Sequence, residues 1–133
     1  GSSYYCVNTP LAAGRALASS NWVDCEDEAH DAQLYDVSAA VPESSDSDAA
    51  AATYPGEQRL RTFAEAKCAA TFHTNRVRDD VRPTLRFMAL VPTEAEWNRR
   101  PSDDYASPVR SVLCFLVPAE GGRLEGSATR GIA

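Results

Sequence analysis

The sequence predicts a single α+β domain: a mainly antiparallel sheet with one main amphipathic helix, a short second helix and two disulfides. Three observations carry this. Short β-type runs separated by turn residues recur along the chain. One long stretch, Glu57 to Phe72, repeats its apolar residues at helical spacing. The coarse order of strands, helix, strand, short helix and strands suggests an α+β sandwich of one antiparallel-rich sheet with a helix on it. The domain is expected to span residues 4–130, with Gly1-Ser2-Ser3 reading as a cloning remnant.

Taken in order, Tyr4 to Val7 reads as a short strand that Pro10 ends, because proline lacks a ladder donor. Leu11 to Ser20, rich in alanine and broken by Gly14, reads as a loop or weak helical turn. Trp22 and Val23 suit a pleated surface. After an acidic turn, Gln33 to Val37 alternates as a strand running toward Val41. Pro42 to Asp48 is a polar loop with little to bury.

Tyr54-Pro55-Gly56 opens the main helix, and Glu57 suits the positive end of its dipole. Leu60, Phe63, Ala64, Cys68 and Phe72 form its apolar face, expected to cover Val112 to Phe115. Leu85 to Val91 is a strand stopped by Pro92. Thr93 and Glu96 then form a capping box for a short helix carrying Trp97. Ser102 to Pro108 is a second polar loop. Val109 to Val117 is apolar on both alternations, as a central strand covered on both faces would be. Gly121-Gly122 turns the chain into a short last strand, Arg123 to Gly126.

Composition excludes several functions. With 44% hydrophobic and 24% charged residues, the 133-residue chain can bury a core. Thirteen basic against 19 acidic residues give a net charge of −6, which argues against a nucleic-acid partner, since phosphate binding needs a clustered positive field. No apolar run is long enough to span a bilayer. Any membrane attachment is therefore expected through a segment outside this chain.

Cys6, Cys25, Cys68 and Cys114 make an even count in a short chain, the pattern of a disulfide framework in an exported protein. Zinc is not expected: no C-x-x-C occurs, His30 and His73 do not form an H-x3-5-H pair, and 18, 42 and 45 residues lie between neighbouring cysteines. Four cysteines leave three pairings open.

Several landmarks then fall in a recognisable order. Cys25 and His30-Asp31 precede a strand; Tyr54-Pro55-Gly56 opens a helix carrying Cys68 and Phe72; Val91-Pro92-Thr93-Glu94-Ala95-Glu96-Trp97 follows, then Ser111-Val112-Leu113-Cys114 and Gly121 to Ser127. The set resembles the actinobacterial septum formation domain family over most of residues 6–127. The chain departs from the family pattern at Tyr4-Tyr5 in place of Gly-Asp, at Ala29 in place of Pro and at Gln33 in place of an acid. The resemblance implies an extracytoplasmic envelope domain, commonly tethered to a membrane helix, in high-GC Gram-positive bacteria. It implies no reaction and no catalytic residue.

The candidate chemistry is sparse. His30, flanked by Glu28 and Asp31, has the surroundings of a general base held by a carboxylate, but also those of a turn histidine bonded to backbone beside a cystine. His73 at the helix end suits the negative pole of the dipole. Asp79-Asp80 and Asp103-Asp104 are paired acids of the kind glycoside hydrolysis uses, and equally ordinary solvated charge. Tyr4, Tyr5, Trp22 and Trp97 are candidate recognition anchors, with Trp97 also placed to seal the core under its capped helix.

From the placement of elements, Cys6–Cys25 and Cys68–Cys114 are the expected bridges. The first pair sits in two short strands near the start of the chain; the second joins the inner face of the helix to the strand it covers. The expected function is a non-catalytic extracytoplasmic interaction or sensing module without a cofactor, with a protein or cell-wall glycan partner. A small envelope hydrolase using His30, or a structural spacer, is the alternative.

Overall fold

Five strands hydrogen-bond into one antiparallel sheet in a computed structural model of the protein, which describes residues 5–11, 19–40, 53–99 and 110–129. They are β1 (Cys6–Val7), β2 (Trp22–Val23), β3 (Ala32–Ala39), β4 (Leu85–Leu90) and β5 (Ser111–Pro118), in the spatial order β2-β1-β3-β5-β4. Helix α1 (Glu57–Phe72) lies across the sheet, and the short α2 (Glu94–Trp97) follows β4. The α+β architecture and both bridges, Cys6–Cys25 and Cys68–Cys114, stand as the sequence led us to expect. The expected strand at Arg123 to Gly126 is reduced to a single bridge between Leu124 and His30. Tyr4, Val41, Val109, most of the Leu11–Ser20 segment, and the polar loops at Pro42 and Ser102 with Asp103-Asp104 lie outside the described residues.

β5 is interior because its side chains are apolar on both alternations. Val112, Cys114 and Leu116 turn toward α1, while Phe115 and Val117 join Val7 and Ala32 on the opposite face. α1 begins at Gly56, whose φ of 99° is open to glycine alone without strain. It ends where the His73 N–H donates to the Ala69 carbonyl.

The buried stripe of α1 is Leu60, Ala64, Cys68 and Phe72, four residues apart at each step. This corrects two expectations. Phe63 lies off the stripe, half-buried, with the Lys67 ammonium 5.8 Å above its ring. Phe115 does not meet α1, because strand alternation turns it to the other face. Phe63→Ala should therefore lower stability by only about 1 kcal/mol, as for half-burial of a large apolar side chain. Urea denaturation measures this; a loss above about 3 kcal/mol would restore Phe63 to the core.

Between Leu34 and Asp36 the register of β3 against β5 slips: Leu34 faces Phe115, and Asp36 faces the very next residue, Cys114. Tyr35 is the extra residue of this bulge, and its effect is to re-aim side chains. Tyr35 and Asp36 both turn toward α1, where the Tyr35 hydroxyl donates to the Cys68 carbonyl at 2.6 Å and the Thr71 hydroxyl donates to Asp36 at 2.7 Å. Val37 is left on the other side, 52% exposed.

Burial, and after it the charge on Asp36, pushes the Tyr35 hydroxyl well above the ordinary phenol range. In the unfolded chain Tyr35 ionises near pH 10, while the folded protein still holds the proton. The stability this contributes is whole below about pH 10 and is lost progressively above it. Tyr35→Phe should flatten the fall of the urea midpoint between about pH 9.5 and 11. An unchanged slope would contradict the assignment.

Candidate functional site

A groove of about 360 Å³ opens where the start of the chain, β3 and the end of α1 meet. Tyr5, Leu34 and Val37 supply apolar wall; Asp36, Thr71 and Arg76 supply polar groups. The fold positions each. Leu34 N–H donates to the Tyr5 carbonyl at 2.7 Å, which holds Tyr5 beside β3 just before β1 begins. The bulge at Tyr35 sends Asp36 and Val37 to opposite sides of the strand. Arg76, in the turn after α1, donates through Nε to the Tyr35 carbonyl at 3.0 Å and so brings its charge to the bulge. Because β1 pairs only with Ala32 and Gln33, β3 beyond Leu34 has no strand neighbour on that side among the described residues.

A second constellation sits at the turn between β2 and β3. His30 is fully buried, and an imidazole nitrogen lies within 4.8 Å of the sulfurs of Cys6 and Cys25. Its Nδ1 stands 3.0 Å from the Glu28 carbonyl. A carbonyl only accepts, so Nδ1 carries a proton, and in the neutral ring Nε2 is then the bare nitrogen. Nε2 is buried with no hydrogen-bond partner among the described residues. The turn is fastened from the far end of the chain: His30 and Leu124 exchange both backbone hydrogen bonds, Arg123 donates to the Ala29 carbonyl, and Ser127 N–H donates to Glu26. The local spacing rules gave no sign of this grouping, because Cys6 comes from β1 and reaches the Cys25–His30 turn only through the fold.

The other sequence candidates divide plainly. Tyr5 is 41% exposed in the groove, whereas Tyr4 lies outside the described residues. Trp22 is half-buried, its ring 6.0 Å from that of Phe115, and packs on the face away from α1. Trp97 is 1% exposed and belongs to the core, so its ring offers no surface anchor. His73 is exposed at the end of α1, its ring edge-on to Phe72. Asp79 and Asp80 each face an arginine, Arg82 and Arg78, at 2.6 Å; the pair serves the turn rather than a cleft.

Val37, Asp36 and Arg76 were missed as site residues. Asp36 and Val37 were read only as strand residues and Arg76 only as part of a charged connector, so nothing local marked them as one site. Gln33 was noted merely as a departure from the family pattern. It is buried, accepts from the Ala128 N–H at 2.7 Å, and donates to the hydroxyls of Ser127 and Thr129, so it ties β3 to the end of the described chain.

No family model, curated protein or solved structure matches this chain. Among the described residues no helix is long and apolar enough to cross a membrane. All four cysteines are paired, as in proteins of oxidising compartments.

Proposed function

We propose that the chain is a non-catalytic interaction module working outside the cytoplasm, and that its partner docks in the groove between Tyr5, β3 and Arg76. One observation carries this. The two large hydrophobic side chains that stand exposed among the described residues, Tyr5 and Val37, both line that groove. Exposed apolar groups gathered beside an acid and an arginine are the make-up of a recognition surface: an anchor to desolvate and charges to set orientation. Two disulfides support an extracytoplasmic setting. The resemblance to the septum formation family supports a cell-envelope partner, a protein or a wall glycan, and septation as the process served.

The hydrolase reading rests on His30. A general base must come within hydrogen-bond reach of the proton it takes. His30 is fully buried against a disulfide, which disfavours that role.

The test pairs two variants on isolated cell-wall material and on an envelope protein fraction. Val37→Asp should weaken retention by about tenfold or more while changing stability by less than about 0.5 kcal/mol, as at an exposed site. His30→Gln should leave retention unchanged. Turnover of wall material that disappears with His30→Gln, with Val37→Asp binding normally, would replace the interaction module by the hydrolase.

A further inference from the structure

We propose that Cys6, Cys25 and His30 form a zinc(II) site in the reduced chain, so that the Cys6–Cys25 bridge and a bound zinc are alternative states of one place. The three donors are gathered within 4.8 Å and all are fully buried. Two thiolates and one imidazole are a donor set zinc takes readily. The orientation of His30 is the independent sign. Its Nδ1–H is committed to the Glu28 carbonyl, and Nε2 is left bare and buried. A ligating histidine characteristically donates its other ring N–H to a carbonyl in this way, which fixes the tautomer and the ring. A buried acceptor without a partner carries a desolvation cost, and a cation at Nε2 would relieve it.

The chemistry balances with a dithiol as reductant. Its two electrons break the sulfur–sulfur bond, each of Cys6 and Cys25 takes one proton, and the dithiol becomes a disulfide. Zinc binding then displaces both protons and leaves two thiolates and a neutral imidazole on the metal. The parted sulfurs settle roughly 3.8 Å apart, as tetrahedral zinc–sulfur geometry requires. Charge selects the metal. Zinc(II) with two thiolates is uncharged, whereas copper(I) on the same donors would leave one negative charge in a fully buried place. Three protein donors leave one position on zinc for an exogenous ligand.

The full chain is reduced with a dithiol, freed of it anaerobically, and titrated with zinc(II) against a competing chelator. Alkylation with peptide mapping then reads each cysteine. The proposal expects one zinc per chain, with added zinc slowing the alkylation of Cys6 and Cys25 relative to the metal-free reduced chain far more than that of Cys68 and Cys114. His30→Gln should weaken zinc by about 100-fold or more, since it removes a direct ligand, while its oxidised form keeps the wild-type circular dichroism. Absence of binding at millimolar zinc, an equal zinc-dependent slowing at all four cysteines, undiminished affinity in His30→Gln, or retention of copper(I) but not zinc would each overturn it. The alkylation map on the wild-type chain decides even if the variant does not fold.

Discussion

Replacing Cys68 and Cys114 together by alanine is expected to lower stability by about 4 kcal/mol, the largest loss from removing either bridge. This bridge closes a loop of 46 residues, against 19 for Cys6–Cys25, whose removal should cost about 3 kcal/mol by the same chain-entropy estimate. The loops do not overlap, so the losses should add. Their sum rivals the whole stability of an ordinary domain of this size. Cys68–Cys114 also pins α1 to β5 next to the Tyr35 hydrogen bond to the Cys68 carbonyl, so its loss loosens the helix that backs the groove. Urea unfolding of the two double variants measures this. Equal midpoints, or a loss under about 1 kcal/mol for the Cys68 pair, would contradict it.

Trp97→Ala should cost about 3–5 kcal/mol, the range for removing a buried large aromatic. Its ring packs with Leu60, Ala64 and Val112, meets Tyr54 edge-on at 5.8 Å, and lies under the Arg110 guanidinium at 5.4 Å. The capping box fixes it there: the Thr93 hydroxyl accepts from the Glu96 N–H, and Glu96 accepts from the Thr93 N–H. The four-residue α2 is too short to be stable alone, so the cap and the buried indole hold it jointly. Thr93→Ala should cost about 1 kcal/mol, as for other lost caps. If thermal unfolding moved equally for both variants, the indole would not be the seal of this end of the core.

Where a signal was local, the residues showed it. Helix α1 was legible because apolar spacing, the Tyr-Pro-Gly turn and an early acid agree over sixteen residues. The capping box was legible because it needs only residues three apart. The bridges followed because each joins elements that were themselves legible. The groove was not legible. It depends on one bulge that sends Asp36 to α1 and leaves Val37 exposed, and a bulge is a property of two paired strands, not of either alone. Phe63 was misplaced for a related reason: a stripe stepping by four residues excludes a neighbour that spacing by three admits. The grouping of Cys6, Cys25 and His30 was hidden because metal-ligand spacing rules see only sequence neighbours.

The central claim is that Tyr5, Leu34, Val37 and Arg76 form the contact surface, and backbone amide shifts of the nitrogen-labelled protein test it most directly. Solubilised wall glycan and an envelope protein fraction are added in separate titrations. The account predicts that in at least one of them saturable shifts gather at Tyr5, Leu34 to Val37, Thr71 and Arg76, and that Val37→Asp abolishes them. Saturable shifts centred instead on the Cys25–His30 turn, with the groove residues unmoved, would contradict it.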